Sequence, residues 1–187
     1  MVAGFSGEAF SAVVNTPASM VVPKPAGLSF VEAATVPSAF ITAWYGLVDL
    51  AGIQPGQTVL VHAAAGGVGL AAVQIAQMVG ARVIATAGNA EKHAFLHTMG
   101  VEHVFSSRTA DFYAPLMALT AGRGVDIVLN SLSEEFIVDS FRALAPAGVF
   151  LEIGKRNIFT QEQAQRARPD VAYHVYDMTD YLLDEPI

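Results

Sequence analysis

The sequence predicts an α/β fold, a doubly wound six-stranded parallel sheet. Three observations predict it. From Gln57 to Tyr176 short β-branched runs alternate with longer helical stretches, the pattern of strands joined by covering helices. One of these runs, Val59 to Val61, passes straight into Gly66, Gly67 and Gly69 and then into a helix. Between Leu50 and Ala81 no Asp, Glu, Lys or Arg occurs, as expected where a strand and its helix are both buried.

Taken in order, residues 1–28 carry two short apolar runs, 10–14 and 20–22, punctuated by Gly4, Gly7, Pro17, Pro23, Pro25 and Gly27. They read as two strands and a loop, too little for a domain. Ser29 followed by Glu32 fits a capping box, in which the serine and the glutamate satisfy each other's backbone N–H groups. Residues 30–37 then lead into a helix over 39–50, ended by Gly52 and Pro55-Gly56. The alternation that follows predicts strands over 58–62, 82–86, 103–105, 125–129, 149–153 and 171–176. The helices between them are expected over 67–79, 90–99, 110–121, 134–144 and 161–167. The domain is accordingly drawn from 29 to 180, with 181–187 an acidic tail or a truncated return segment.

Composition narrows the function classes. The chain has 187 residues, a formal net charge of −7 and no cysteine, so it offers no disulfide framework, thiolate nucleophile or Cys-ligated zinc. The cytoplasm is the expected location. A net negative charge with scattered Lys and Arg supplies no basic stripe for nucleic acid. The uncharged stretch 50–81 is long enough to span a bilayer, but Pro55-Gly56 and the later glycines break it, so no membrane segment is expected. Among metal patterns, His93 and His97 have helical i, i+4 spacing, but Ala94 stands where a zinc helix needs glutamate and no third ligand stands out, so no metal site is expected.

The chemistry centres on the turn after the 58–62 strand. In the G-x-G-x-x-G fingerprint the glycines allow a tight turn, close backbone approach to a pyrophosphate and close helix packing. Those positions are Ala64, Gly66 and Gly69 here, so the first glycine is replaced. A pyrophosphate would sit over the helix start at Gly67, Val68 and Gly69, where free N–H groups and the helix dipole favour negative charge. This is the Rossmann arrangement. An NAD site normally has an acidic residue at the end of the next strand, whereas this chain has Thr86-Ala87-Gly88-Asn89 followed by Lys92, with Arg108 after the third strand. Two cations suit a ribose 2′-phosphate, so NADPH is the expected cofactor.

Four segments carry a resemblance: Ala33-Ala34-Thr35-Val36-Pro37, the run from Pro55 to Gly69, the run Gly124-Val-Asp-Ile-Val-Leu-Asn-Ser-Leu132, and Phe150-Leu-Glu-Ile-Gly-Lys155. Together they resemble the enoyl reductase domains of modular polyketide synthases, in the medium-chain dehydrogenase/reductase superfamily. Residues 1–28 would then be the end of a β-rich substrate domain. The resemblance implies hydride transfer from NADPH to an α,β-unsaturated thioester on an acyl carrier protein, followed by protonation of the α-carbon. It implies Lys155 and Asp177 as candidate proton donors, Asn130, Ser131 and Thr42 beside the nicotinamide, and Ser107 and Arg108 as a pair near the phosphate. His93 stands where relatives often carry a second basic residue. Neighbouring synthase domains are implied partners, and an edge position of the last strand would allow a homodimer. Two rival readings stay open: a free-standing NADPH quinone or enone reductase, and a non-catalytic nucleotide-binding remnant, the latter suggested by Ala64 and the short first segment.

Overall fold

The structure, a computed structural model, describes residues 2–4, 11–109, 111–133 and 135–178. Phe10, Ala110, Glu134 and the expected tail 181–187 lie outside them. Six parallel strands form the sheet: β3 (Thr58–Val61), β4 (Arg82–Ala87), β5 (His103–Ser106), β6 (Val125–Asn130), β7 (Leu144–Glu152) and β8 (Ala172–Val175). Their spatial order is β5-β4-β3-β6-β7-β8. The order reverses between β3 and β6, and the crevice at such a switch point is where open α/β sheets bind ligands.

Strand alternation assigns each residue a face. Val59, Val61, Val83, Ala85, Ile127, Leu129 and Leu151 enter one core. That core is shared with α1 (Phe30–Trp44), α2 (Gly67–Val79) and Leu96 of α3 (Ala90–Thr98). Leu60, Ile84, Val128 and Phe150 face the other way, against α4 (Tyr113–Leu119), α5 (Glu135–Ala143) and α6 (Gln161–Ala167). Phe141 is the centre of this second core, stacked on Phe150 at 4.3 Å and on Phe159 at 5.3 Å between ring centroids.

Several boundaries differ from the sequence expectation. No strand forms over 11–14, where Val13 is 81% exposed. Instead β1 (Val2–Gly4) pairs antiparallel with β2 (Val21–Pro23). The Ser29–Glu32 capping box is present, but α1 runs straight through Pro37 and continues as a π-helical turn over Tyr45–Leu50. Proline removes one N–H there, a local cost that the packing of α1 on α2 outweighs. Strand β7 begins at Leu144, directly after α5, because Leu144 pairs with Val125 before a register shift. Helix α4 is shorter than expected, ending where Ala121 and Gly122 take positive φ. A second capping box, Thr160 with Gln163, starts α6.

Truncating the central ring tests this core. Phe141→Ala is expected to cost about 3–5 kcal/mol, read as a lower urea midpoint with an unchanged m-value; a loss under 1 kcal/mol would mean the ring stack is not a core element.

Candidate functional site

The turn after β3 forms the first wall of the site. Ala63, not Ala64, takes the left-handed conformation, with φ 47°. Ala64 is fully buried and has no positive φ, so alanine at the expected first glycine position needs no strained backbone. The strain sits one residue earlier, on a residue with a Cβ, at about 1 kcal/mol. Gly69 meets a harder limit, since a Cβ there would lie 2.6 Å from Ala63 O and from Ala64 Cα. That contact seats α2 directly on the end of β3. The first intrahelical bond is Leu70 N–H to Gly66 O, so the N–H groups of Gly67, Val68 and Gly69 precede it and Gly66 has no side chain to cap them. These donors, without intrahelical partners at the positive end of a helix, fit the pyrophosphate of a dinucleotide.

Beside this turn lies a cleft of about 240 Å³ lined by Ala63, Gly66, Gly88, Lys92, Ser107 and Arg108, among others. The structure thus brings together residues from three separate loops that the sequence reading connected with the cofactor phosphates. Gly88 admits the guanidinium, because a Cβ there would stand 3.1 Å from Arg108 Nε. Asn89 caps α3 by accepting from Lys92 N–H, leaving the Lys92 ammonium exposed at the rim. His93 is committed elsewhere, its Nε2 bonded to Ala87 O at 2.9 Å. His97 likewise binds a backbone oxygen, that of Val101.

The carboxyl ends of the strands hold a chain of buried polar groups that the sequence reading missed. His62 continues from β3, with Nδ1 3.1 Å from Thr86 Oγ1 and Nε2 2.7 Å from Ser140 Oγ. Ser140 donates to Phe136 O, so its oxygen accepts from His62 Nε2–H. Thr86 Oγ1 accepts from Ala63 N–H and donates to His62 Nδ1. The neutral imidazole is therefore fully satisfied, and burial drives its pKa from 6.5 down to about 3. The strained Ala63 is held through this chain.

On the far side of the switch point Asn130 and Glu152 end β6 and β7, both fully buried. Asn130 Nδ2 donates to Glu152 Oε2 at 2.7 Å and to Leu132 O, and its Oδ1 accepts from Leu132 N–H. Its amide is thus turned into the β6–β7 junction, and Ser131 is the exposed residue of that turn. Burial raises the Glu152 carboxyl from 4.5 to about 7, opposed by the Asn130 and Gly154 hydrogen bonds. Lys155, three residues after β7 ends, forms an ion pair with Asp177, just beyond β8. Thr42 on α1 lies close to this corner, because its carbonyl accepts from Tyr176 OH at 3.0 Å, while its own hydroxyl bonds back to Ser38 O.

Known proteins agree with this geometry. The model of the zinc-binding dehydrogenase family matches residues 67–177. A phenolphthiocerol/phthiocerol polyketide synthase of Mycobacterium tuberculosis is 46% identical over 158 residues, covering 84% of this chain and 7% of that protein. The crystal structure of CurK enoyl reductase superposes with a TM-score of 0.89 at 52% identity, covering 91% of this chain and 51% of that one. The nucleotide-binding subdomain of the enoylreductase domain of PpsC from Mycobacterium tuberculosis gives a TM-score of 0.71 at 42% identity, covering 78% and 82%. The chain belongs to the enoyl reductase domains of polyketide synthases. It spans about half the length of the CurK domain and a small fraction of a whole synthase. As an enoyl reductase chain it carries a nucleotide-binding fold whose turn, helix start and cleft fit a nicotinamide dinucleotide. The zinc in the family's description does not fit this chain, which has no cysteine and, among its described residues, no group of three His, Asp or Glu able to hold a metal. Among the described residues, no helix is long and apolar enough to cross a membrane.

The two shifted groups set opposing pH dependences. Between about pH 4.5 and 6.5 the unfolded chain gains a proton on His62 that the native state refuses, while the native state keeps one on Glu152 that the unfolded chain has lost. Glu152→Gln removes the second slope. Its stability is expected to fall on acidification through that window by up to about 1.4 kcal/mol per pH unit. Urea midpoints measured across the window check this, and a variant curve as flat as that of the unmutated chain would contradict a neutral buried His62.

Proposed function

We propose that this chain is the NADPH-binding side of an enoyl reductase that reduces an α,β-unsaturated acyl thioester carried on an acyl carrier protein, working among neighbouring synthase domains in the cytoplasm. The observation that carries the reading is the Lys155–Asp177 ion pair at the carboxyl ends of β7 and β8, next to the turn that closes β6. When bound, NADPH supplies the hydride that adds to the β-carbon. The electron pair of the carbon–carbon double bond then moves toward the thioester oxygen. The Lys155 ammonium stabilises that developing enolate and gives its proton to the α-carbon, taking another from solvent afterwards. Asp177 holds the ammonium in place. The backbone at Ser131 and the nearby Thr42 border the nicotinamide pocket. Lys92, Ser107 and Arg108 bind the 2′-phosphate, which the exposed cations and the open backbone at Gly88 support. Two copies would pair through β8, which lies at the edge of the sheet.

The reading is tested on the complete reductase domain with NADPH and a crotonyl thioester, where nicotinamide absorbance is expected to fall; no loss of absorbance at any enzyme concentration rejects it. In the same assay Lys155→Ala combined with Asp177→Ala is expected to lower kcat by about a hundredfold while leaving the Kd for NADPH nearly unchanged. Unaltered turnover would assign protonation to water or another group. For the cofactor, Lys92→Ala and Arg108→Ala are each expected to weaken NADPH binding by about tenfold or more and NADH binding little. Equal losses for both cofactors in calorimetry would place the phosphate elsewhere.

A further inference from the structure

Resting on the reading of Lys155 as a reacting group, we propose that Glu152 is its positioning residue: the two carboxylate oxygens tie the Asn130 amide to the Gly154 backbone N–H and so fix the turn that carries Lys155. An ionisable group in this place needs explaining. Glu152 ends a strand whose neighbours Phe150 and Leu151 are fully buried, and it is itself fully buried. Burying a carboxylate costs several kcal/mol unless its lone pairs are satisfied, and an apolar side chain would fill the space without that cost. The carboxylate contributes two acceptors that point in different directions. Oε2 reaches across to β6 and accepts from Asn130 Nδ2 at 2.7 Å. Oε1 reaches forward along its own chain and accepts from Gly154 N–H, also at 2.7 Å.

Both contacts lead to the reaction centre. Asn130 grips Leu132 through its N–H and its carbonyl, so the turn around Ser131 is built on the same amide that Glu152 holds. Gly154 immediately precedes Lys155, and a Cβ at Gly154 would lie 2.7 Å from Glu152 Oε1, so a side chain there would displace the carboxylate from its present position. The backbone of Glu152 serves the other partner, because its carbonyl accepts from Tyr176 N–H at 3.1 Å, one residue before Asp177. Each member of the Lys155–Asp177 pair therefore follows a residue hydrogen-bonded to Glu152. A brace of this kind matters for rate, since a displacement of about 1 Å in a catalytic group can cost roughly a hundredfold.

The test exchanges donor and acceptor between the strands in the complete reductase domain. Glu152→Gln leaves a single side-chain acceptor, and Asn130→Asp places two carboxyl groups together. The double variant Glu152→Gln with Asn130→Asp puts the amide on β7 and the carboxyl on β6, restoring the bond between strands and keeping one oxygen for Gly154 N–H, while Leu132 O loses its side-chain donor. Each single variant is expected to lower kcat about tenfold or more with the KM for NADPH within about twofold, and the double variant to recover part of that kcat, short of the full value because Leu132 O lacks its Asn130 donor. Hydrogen-exchange protection of the Gly154 amide should fall in Glu152→Gln and return in the double variant. Unchanged kcat in Glu152→Gln overturns the proposal, as does a loss shared equally with KM that the double variant fails to restore. If Lys155→Ala leaves kcat intact, the reading of Lys155 fails by itself, while the Gly154 amide still reports whether the brace exists.

Discussion

The close seating of α2 on the end of β3 is the constraint on which the site depends. With no side chain at Gly69, the helix start comes within van der Waals contact of the Ala63–Ala64 backbone, so its unbonded N–H groups open at the carboxyl edge of the sheet. Everything the chain offers a dinucleotide is arranged around that point. The 240 Å³ cleft opens on one side, toward β4 and β5. On the other, beyond β6, the Lys155–Asp177 pair lies past the ends of β7 and β8.

The same edge concentrates nearly all the polar groups that the core contains. Among the described residues, His62, Thr86, Ser140, Asn130 and Glu152 are the buried polar ones, and no buried side-chain polar atom among them lacks a hydrogen-bond partner. Polar burial costs free energy unless it is paired, and paired networks fix one geometry at the expense of others. Four of these five groups lie at or just beyond the carboxyl ends of β3, β4, β6 and β7, and Ser140 reaches them from α5. One network supports the strained Ala63 at the phosphate turn, and the other joins β6 to the Gly154 turn, so each half of the site rests on its own buried framework.

The scarcity of charge has a physical location. Both faces of the sheet are covered, which places the uncharged strand, turn and helix of 50–81 in the first core. The outer side of α1 remains apolar and open, with Val36, Ile41 and Trp44 exposed, and with β1 and β2 it encloses a groove of about 440 Å³. Three of the cations lie at the carboxyl edge of the sheet: Arg108 and Lys92 line the cleft, and Lys155 pairs with Asp177.

Local rules made much of this legible. The β-branched apolar run Val59 to Val61 identified a buried strand, Ser29 and Glu32 identified a helix start, and the glycines identified the turn, because each depends on residues within a few positions of one another. The cations of the cleft were legible for the same reason, each lying just after a strand. What the sequence could not determine was pairing over distance. The strand that pairs with β2 lies at 2–4, Leu144 joined β7 through Val125, and α1 continued through Pro37 because packing outweighed one lost hydrogen bond. Glu152 stood only within a segment that carried the resemblance, and Asn130 as a strand end beside the nicotinamide. Only the tertiary structure, by laying β6 beside β7 in one register, brought two groups 22 residues apart within 2.7 Å and turned both inward, since a hydrogen bond depends on where two strands lie and not on where they fall in the chain.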